Sequence, residues 1–244
     1  MSALFNKVLF IPLFNFLILL YNSVAFHDLG FAVIILTIII RIIIFPVFHR
    51  SLKHQRKIQQ LTPHVKRIQE EYKNDKEQQA KALMELYKEH GVNPMSQFYL
   101  LLIQFPILIA LYRVVLAGIN SSNLKNYLYP SVLAPVVFNH YFLGIVDLSK
   151  RSIALALIAG IIQYFQAVTA IPKPPAGTEP SATDKALKSS LFFMVGITLV
   201  FSYIFPAVIA LYLATTNLFT FVQQLIVNNQ TEKDIEASKE WKKT

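Results

Sequence analysis

The stretch SSLFFMVGITLVFSYIFPAVIALYLATTNLFTFVQQLIVNNQT, residues 189–231, contains no Asp, Glu, Lys or Arg, and it decides the fold class. As one straight helix it would be about 65 Å long at ~1.5 Å per residue, roughly twice the thickness of the hydrocarbon layer of a bilayer. Phe205-Pro206 lies near its middle, where a proline interrupts the helical hydrogen bonds. The stretch therefore predicts two membrane-spanning helices, at residues 190–205 and 207–228.

Three further segments are long and apolar enough to cross a membrane. They are residues 29–48, with Arg41 as the one charged side chain, residues 96–117, with Arg113 near one end, and residues 152–171, which are uncharged. Together the five segments predict an all-α, polytopic membrane protein with a five-helix transmembrane core.

The N-terminal segment, residues 1–28, allows two interpretations. Its apolar part could be a further span, or it could be an amphipathic helix lying flat at the membrane interface with Asn15, Asn22 and His27 toward water. We favour the flat helix, because polar residues recur within the segment. No clear cleavage site for a signal peptide follows it.

Composition supports a membrane protein and excludes several other classes. Hydrophobic residues make up 54% of the chain and charged residues 15%. There is no cysteine, so a disulfide framework and a thiolate metal site are excluded. The formal net charge of +9 suggests nucleic acid as a partner only if the basic residues gather on one surface.

The distribution of Lys and Arg predicts the orientation in the membrane. The segment between the first two spans, residues 49–95, holds ten of them. The loop at residues 118–151 has Lys125, with Lys150 and Arg151 at its border. The loop at residues 172–189 has three and the tail at residues 229–244 has four. We therefore predict that residues 49–95, 172–189 and the tail are cytoplasmic, that residues 118–151 are external, and that the N-terminus is outside.

Residues 49–95 show helical periodicity. Leu61, Val65, Ile68 and Tyr72 recur at helical spacing, and a second helix is predicted to begin at an N-cap, Asp75. The pattern predicts a cytoplasmic hairpin of two helices with a thin apolar seam. Residues 172–183, rich in Pro, show no periodicity and predict a flexible loop.

Arg41 is the most informative single residue. An arginine at the middle of a membrane helix costs on the order of 2.5–3.5 kcal/mol on insertion scales, and somewhat less toward an end. None of the five predicted spans contains an Asp or Glu that could pair with it. Arg41 therefore faces water, polar side chains or an acidic group supplied by another molecule. The alternative is that it extends to the cytoplasmic headgroups.

Polar side chains on the other spans could line the same water-filled cavity as Arg41. The alternative is that they form hydrogen bonds between helices, worth about 0.6 kcal/mol each. The candidate residues are Gln104, Gln163, Gln166, Tyr212, Thr216, Asn217 and Thr220, with Gln223 on the same stripe as Thr220.

Signals of catalysis and of cofactor binding are missing. The histidines show no metal-ligand spacing and no glycine-rich loop could hold a phosphate. We therefore expect no enzymatic activity, no cofactor and no metal. The basic segment at residues 49–95 also contains acidic residues, so its ordinary interpretation is a solvated surface; anionic lipid or ribosomal RNA are the alternative contacts. A nucleic-acid substrate is not expected.

Several stretches in fixed order resemble the YidC-type membrane protein insertases, in the short form without a large outer domain. The stretch GFAVIILTIIIRIIIFPVFHRSLK (residues 30–53) is similar to the first core span of that family, and Arg41 falls on its intramembrane arginine. Residues 61–94 resemble the cytoplasmic hairpin, LLIQFPILIALY (101–112) resembles the second span, and FP, LY and NLFTFVQQ within residues 205–224 resemble the last two.

The resemblance implies five core helices around a hydrophilic groove that opens to the cytoplasm and to lipid and is closed outside. It also implies that the arginine attracts polar or acidic parts of a substrate. The expected function is insertion and folding of nascent membrane proteins in the cell membrane, alone or with the Sec translocon, with the ribosome as a candidate partner. The rival function is a small-solute transporter or channel, since a lone cation could bind an anion; the sequence shows no internal repeat to support it.

Overall fold

A computed structural model describes residues 3–93, 95–119, 127–135, 138–170 and 182–241. Regular structure within these ranges is almost entirely helical, which confirms the all-α prediction. Residues 172–181 of the predicted loop 172–189 lie outside the described residues, as do residues 120–126 and the end of the tail, whereas residues 182–189 of that predicted loop are helical. The elements are α1 (residues 3–23, with a π-helical stretch at Asn6–Phe10), α2 (Leu29–Ile43), α3 (Phe45–Gln60), α4 (Thr62–Glu71), α5 (Lys76–Glu89), α6 (Ser96–Ile119), β1 (Tyr141–Phe142), β2 (Val146–Asp147), α7 (Ile153–Ala170), α8 (Ala182–Ile204) and α9 (Ala207–Trp241).

Three described helices are long and apolar enough to cross a membrane: Asn6–Ser23, Ile153–Ala170 and Ala207–Gln230. The consecutive helices Leu29–Ile43 and Phe45–Ile58 pass the same test as a bent pair and would make a fourth. Shorter apolar helices lie within α6 and α8, at Leu102–Arg113 and Phe192–Ile204. The described part of the chain therefore offers three or four spans by length and composition, and the five-helix core stays a prediction.

The first predicted span, residues 29–48, is not straight. Helix α2 ends at Ile43, and α3 leaves it at an angle of 68°. Pro46 explains the break, because it has no N–H to donate to the carbonyl of Ile42 and its ring disfavours helical backbone before it. Ile44, between the two helices, has φ −89° and ψ 3°. We call residues 44–46 the elbow.

Helix α1 packs along α2 and α6 through buried side chains such as Phe14, Leu17 and Tyr21. The expectation that Asn15 faces water is wrong, because this residue is only 3% exposed. Its amide donates to the Tyr127 carbonyl and accepts from the Tyr129 N–H, so its polarity is satisfied by loop backbone. The flat placement of α1 at the interface stays a prediction.

One end of the helical bundle, which we call the capped end, is covered by residues 127–135 and 138–150. Strands β1 and β2 pair antiparallel there through a turn at Leu143 and Gly144, both with positive φ. The carboxylate of Asp28 accepts from Gly30 and Phe31 N–H at the start of α2, and its other oxygen accepts from Leu143 N–H at 2.6 Å. Asp28 therefore ties the strand hairpin to the start of the helix that carries Arg41.

Helices α4 and α5 form a small hairpin with a core of its own. Leu61, Leu86 and Val92 are buried in it, with Val65 and Ile68 among the side chains that pack around them. Asp75 caps α5 by accepting from the N–H groups of the second and third residues after it, which confirms the predicted N-cap. This cluster is separate from the core of the main bundle, so the hairpin is a distinct packing unit.

Candidate functional site around Arg41

Arg41 lies inside the bundle, with only 5% of its surface exposed. It is near the end of α2, three residues before the elbow. The bend brings the Phe48 ring of α3 beneath the guanidinium, whose carbon lies 4.2 Å from the ring centroid. A cation over an aromatic face is attracted by the ring quadrupole, and the attraction is stronger where water is excluded. The elbow therefore supplies part of the surroundings that allow Arg41 to be buried.

A hydrogen-bonded chain extends from Arg41 to two other helices. The Arg41 Nη2 group donates to Gln104 Oε1 at 3.4 Å, and Gln104 Nε2 donates to Tyr212 Oη at 2.5 Å. Gln104 lies on α6 and Tyr212 on α9. The oxygen of the Gln104 amide thus faces the guanidinium, and these hydrogen bonds connect α2, α6 and α9.

Two buried nitrogens on the helices of this site have no hydrogen-bond partner among the described residues: Arg41 Nη1 on α2 and Asn217 Nδ2 on α9. Asn217 follows Thr216, which is 4% exposed and lies one turn along α9 from Tyr212. A buried polar group without a partner costs about 1–3 kcal/mol. These N–H groups can therefore form favourable hydrogen bonds with a carbonyl, a carboxylate or water that reaches them.

Three other predicted site residues, on α7 and α9, form hydrogen bonds that include none of Arg41, Gln104 and Tyr212. Gln163 Nε2 donates to Gln166 Oε1 at 3.1 Å on the same face of α7, and both side chains are half-buried. Thr220 Oγ1 donates to the Thr216 carbonyl at 2.9 Å, a bond within α9. Their place in a common groove with Arg41 stays a prediction.

Sequence reasoning did not place Phe48 in these surroundings, and it placed Gln223 on the polar stripe of α9 without indicating its contact with the elbow. Gln223 is 1% exposed and donates through Nε2 to the carbonyl of Phe45 at 3.2 Å. In a straight helix over residues 29–48, Phe48 would lie about 10 Å from Arg41 along the axis. The signal that identifies its position is Pro46, since a proline between the two residues breaks the helix.

Arg41 is unusual because it is a buried cation with no carboxylate partner among the described residues. The ion pairs of the described residues, Lys81 with Glu77 and Lys150 with Asp147, both lie outside the candidate spans, and no described carboxylate pairs with Arg41. At the capped end burial opposes ionisation of Asp147, but hydrogen bonds from Ser149 and Lys150 outweigh it and hold the pKa of this carboxyl below its ordinary value. No cluster of His, Asp or Glu in the described ranges could hold a metal ion.

Comparison with known proteins identifies the family. The model of the family described as 60Kd inner membrane protein matches residues 19–234. The chain is 32% identical over 224 residues to a protein of Campylobacter jejuni named Membrane protein insertase YidC, covering 91% of this chain and 38% of that protein. Proteins of the same name from Helicobacter pylori and Wolinella succinogenes are also 32% identical, over 83% and 93% of this chain and 33% and 38% of theirs.

The chain thus spans little more than a third of the length of these relatives. The family match extends from the second half of α1 into the C-terminal part of α9, so it includes Arg41, Gln104 and Tyr212. With its apolar helices, this makes the chain a multi-pass protein of the cell membrane, and it belongs to the 60Kd inner membrane protein family, whose relatives named here are the YidC membrane protein insertases.

Proposed function

We propose that this chain is a membrane protein insertase, which inserts nascent membrane proteins into the bilayer and assists their folding. The observation that carries the proposal is Arg41: a guanidinium 5% exposed among apolar helices, with one nitrogen unpartnered and no described carboxylate beside it. The names of the relatives and the family match support the same function. A cofactor and a catalytic reaction are not part of the proposal.

In this proposal the substrate supplies the acidic or polar group that the chain lacks near Arg41. A tail with a carboxylate or free carbonyls would be drawn to the guanidinium and held by the N–H groups of Asn217 and Arg41. Gln163, Gln166, Thr216 and Thr220 would extend the polar surface along the path. The apolar part of the substrate would then leave sideways into lipid, a step that gains about 0.8 kcal/mol per buried CH₂.

The proposal also includes an orientation and partners. The N-terminus lies outside and the C-terminus in the cytoplasm, in agreement with the Lys and Arg content of residues 49–95. Nascent chains would then reach Arg41 from the side on which they are made. The chain acts alone or beside the Sec translocon, and the ribosome is a second partner in this scheme.

Reconstitution tests the proposal against its rival, anion transport. The purified protein is placed in liposomes, and a single-span protein with a short acidic tail is translated beside them. We expect protease-protected tail to accumulate with the protein and not with empty liposomes, while chloride efflux stays at the level of empty liposomes. Protein-dependent chloride efflux without protected tail would favour a transporter and overturn the proposal.

A further inference from the structure

The elbow is contacted by α9 through two side chains that are one helical turn apart. Gln223 Nε2 donates to the Phe45 carbonyl at 3.2 Å, and the Phe219 ring meets the Phe45 ring edge to face with centroids 6.5 Å apart. Gln223 is 1% exposed. The orientation of its amide is fixed by this contact, because the opposite orientation would place two acceptor oxygens against each other.

The contact between Arg41 and Phe48 depends on the elbow. In a straight helix the backbones of residues seven apart, such as Arg41 and Phe48, are about 10 Å apart along the axis. The observed separation of 4.2 Å is reached because α3 turns by 68° directly after α2. Whatever holds the elbow bent therefore also sets the surroundings of Arg41.

We infer that Gln223 is a positioning residue for Arg41: its hydrogen bond to the Phe45 carbonyl holds the elbow bent, and the bent elbow places Phe48 under the guanidinium. Pro46 makes the break possible, but a missing hydrogen bond alone does not fix the direction or the angle of a bend. Gln223 supplies a bond to the first residue of α3 from a different helix. Its effect on insertion rests on the proposed function, whereas its effect on the bend does not.

The neighbouring Gln224 is a matched control. It is 2% exposed, and its Nε2 donates to Asn228 Oδ1 at 3.0 Å within α9. Asn228 in turn donates to the Thr169 carbonyl of α7, away from the elbow. Replacing Gln223 or Gln224 with Leu removes one buried amide of the same size from the same helix, but only Gln223→Leu removes a bond to the elbow.

The test is a distance measurement by pulsed electron paramagnetic resonance on the full chain in lipid. The protein has no cysteine, so spin labels can be placed at Phe31→Cys on α2 and Lys57→Cys on α3. With a rise of ~1.5 Å per residue, loss of the 68° bend would lengthen this distance by about 7 Å. We expect Gln223→Leu to add a longer-distance population, and Gln224→Leu to match the wild type.

The inference is overturned if Gln223→Leu leaves the distance distribution unchanged, or if Gln224→Leu shifts it equally. Insertion of an acidic-tailed substrate is measured on the same samples, where Gln223→Leu should reduce the rate and Gln224→Leu should not. A wild type that inserts nothing would refute the proposed function, while the distance result would still decide what Gln223 does.

Discussion

Two aspartates begin helices in the same way but have different surroundings. Asp28 and Asp75 each accept hydrogen bonds from two backbone N–H groups in the first turn of the following helix. Only Asp28 uses its second oxygen as well, to accept from the N–H of Leu143 at the capped end. Any difference between substitutions at the two positions therefore reports what the additional contact contributes.

Asp28→Ala should lower stability more than Asp75→Ala. Loss of an N-cap costs about 1 kcal/mol in each case. Asp28→Ala also removes the hydrogen bond from the Leu143 N–H; because Leu143 is 56% exposed, water can replace the carboxylate there, and we expect a further cost of about 0.5–1.5 kcal/mol at most. The melting temperature in detergent is the measurement, with Asp75→Ala as the control. Equal decreases would mean that the bond between Asp28 and Leu143 contributes nothing.

Gly30 and Gly196 provide a second comparison. A Cβ on Gly30 would lie 2.1 Å from the Phe142 ring, whereas nothing lies within 4 Å of the corresponding position on Gly196. We expect Gly30→Ala to separate β1 from α2 and to lower the melting temperature, at a cost of about 1–3 kcal/mol typical of overpacking. Gly196→Ala should be neutral or slightly stabilising, since alanine favours helices. A neutral Gly30→Ala would contradict the close packing at the capped end.

The sequence predicts well which segments are helical, but it predicts less well the direction in which each helix runs. The uncharged run at residues 189–231 and the break at Pro206 are local features, and α8 and α9 follow from them. The elbow was not predicted, because hydropathy does not register a change of direction inside an apolar segment. The burial of Asn15 also depends on a loop more than 110 residues away, which no local pattern indicates.

The hairpin of α4 and α5 should be separable from the membrane helices. Its core consists of a few side chains, chiefly Leu61, Leu86 and Val92, and most of its surface is charged and exposed. Units with little buried apolar area open easily. We expect that replacing residues 61–90 with a short linker leaves the melting of the remaining protein nearly unchanged and reduces insertion. Aggregation of the deletion variant in detergent would show that the hairpin stabilises the bundle.

For the protein as a whole, the sequence identified Arg41 but not how it is accommodated. The lack of a carboxylate partner for Arg41 could be predicted, because the predicted spans contain no Asp or Glu. Gln104 accepts a hydrogen bond from Arg41, 63 positions away in the sequence, and donates one to Tyr212, 108 positions away. Such contacts depend on the packing of helices, so periodicity can propose the participants but not their pairing.

Topology can be measured directly because the wild type has no cysteine. Single cysteines at Leu4, Ser23 and Ser121 should react with an impermeant thiol reagent added outside, and those at Ser181 and Ser238 only after the cytoplasmic side is opened. If the cysteines at positions 4 and 23 both react from outside, α1 lies flat on the outer surface of the membrane. Reaction of Leu4 from the cytoplasmic side alone would make α1 a span, and reaction of Ser121 from that side would reverse the orientation.

In the proposed function, the positive charge of Arg41 attracts the acidic part of the substrate. Insertion into proteoliposomes is measured for the wild type, Arg41→Lys and Arg41→Ala, with two substrates that differ only in an acidic or a neutral tail. Lysine keeps the charge on a flexible stem, so Arg41→Lys should retain most activity. Arg41→Ala should lose roughly tenfold or more on the acidic tail, as expected if one charge-assisted contact of about 1.5–3 kcal/mol is removed, with little loss on the neutral tail. Equal loss of insertion in both variants on both tails, with lower melting temperatures, would instead show that Arg41 holds the helices together and would contradict its role in attracting the substrate.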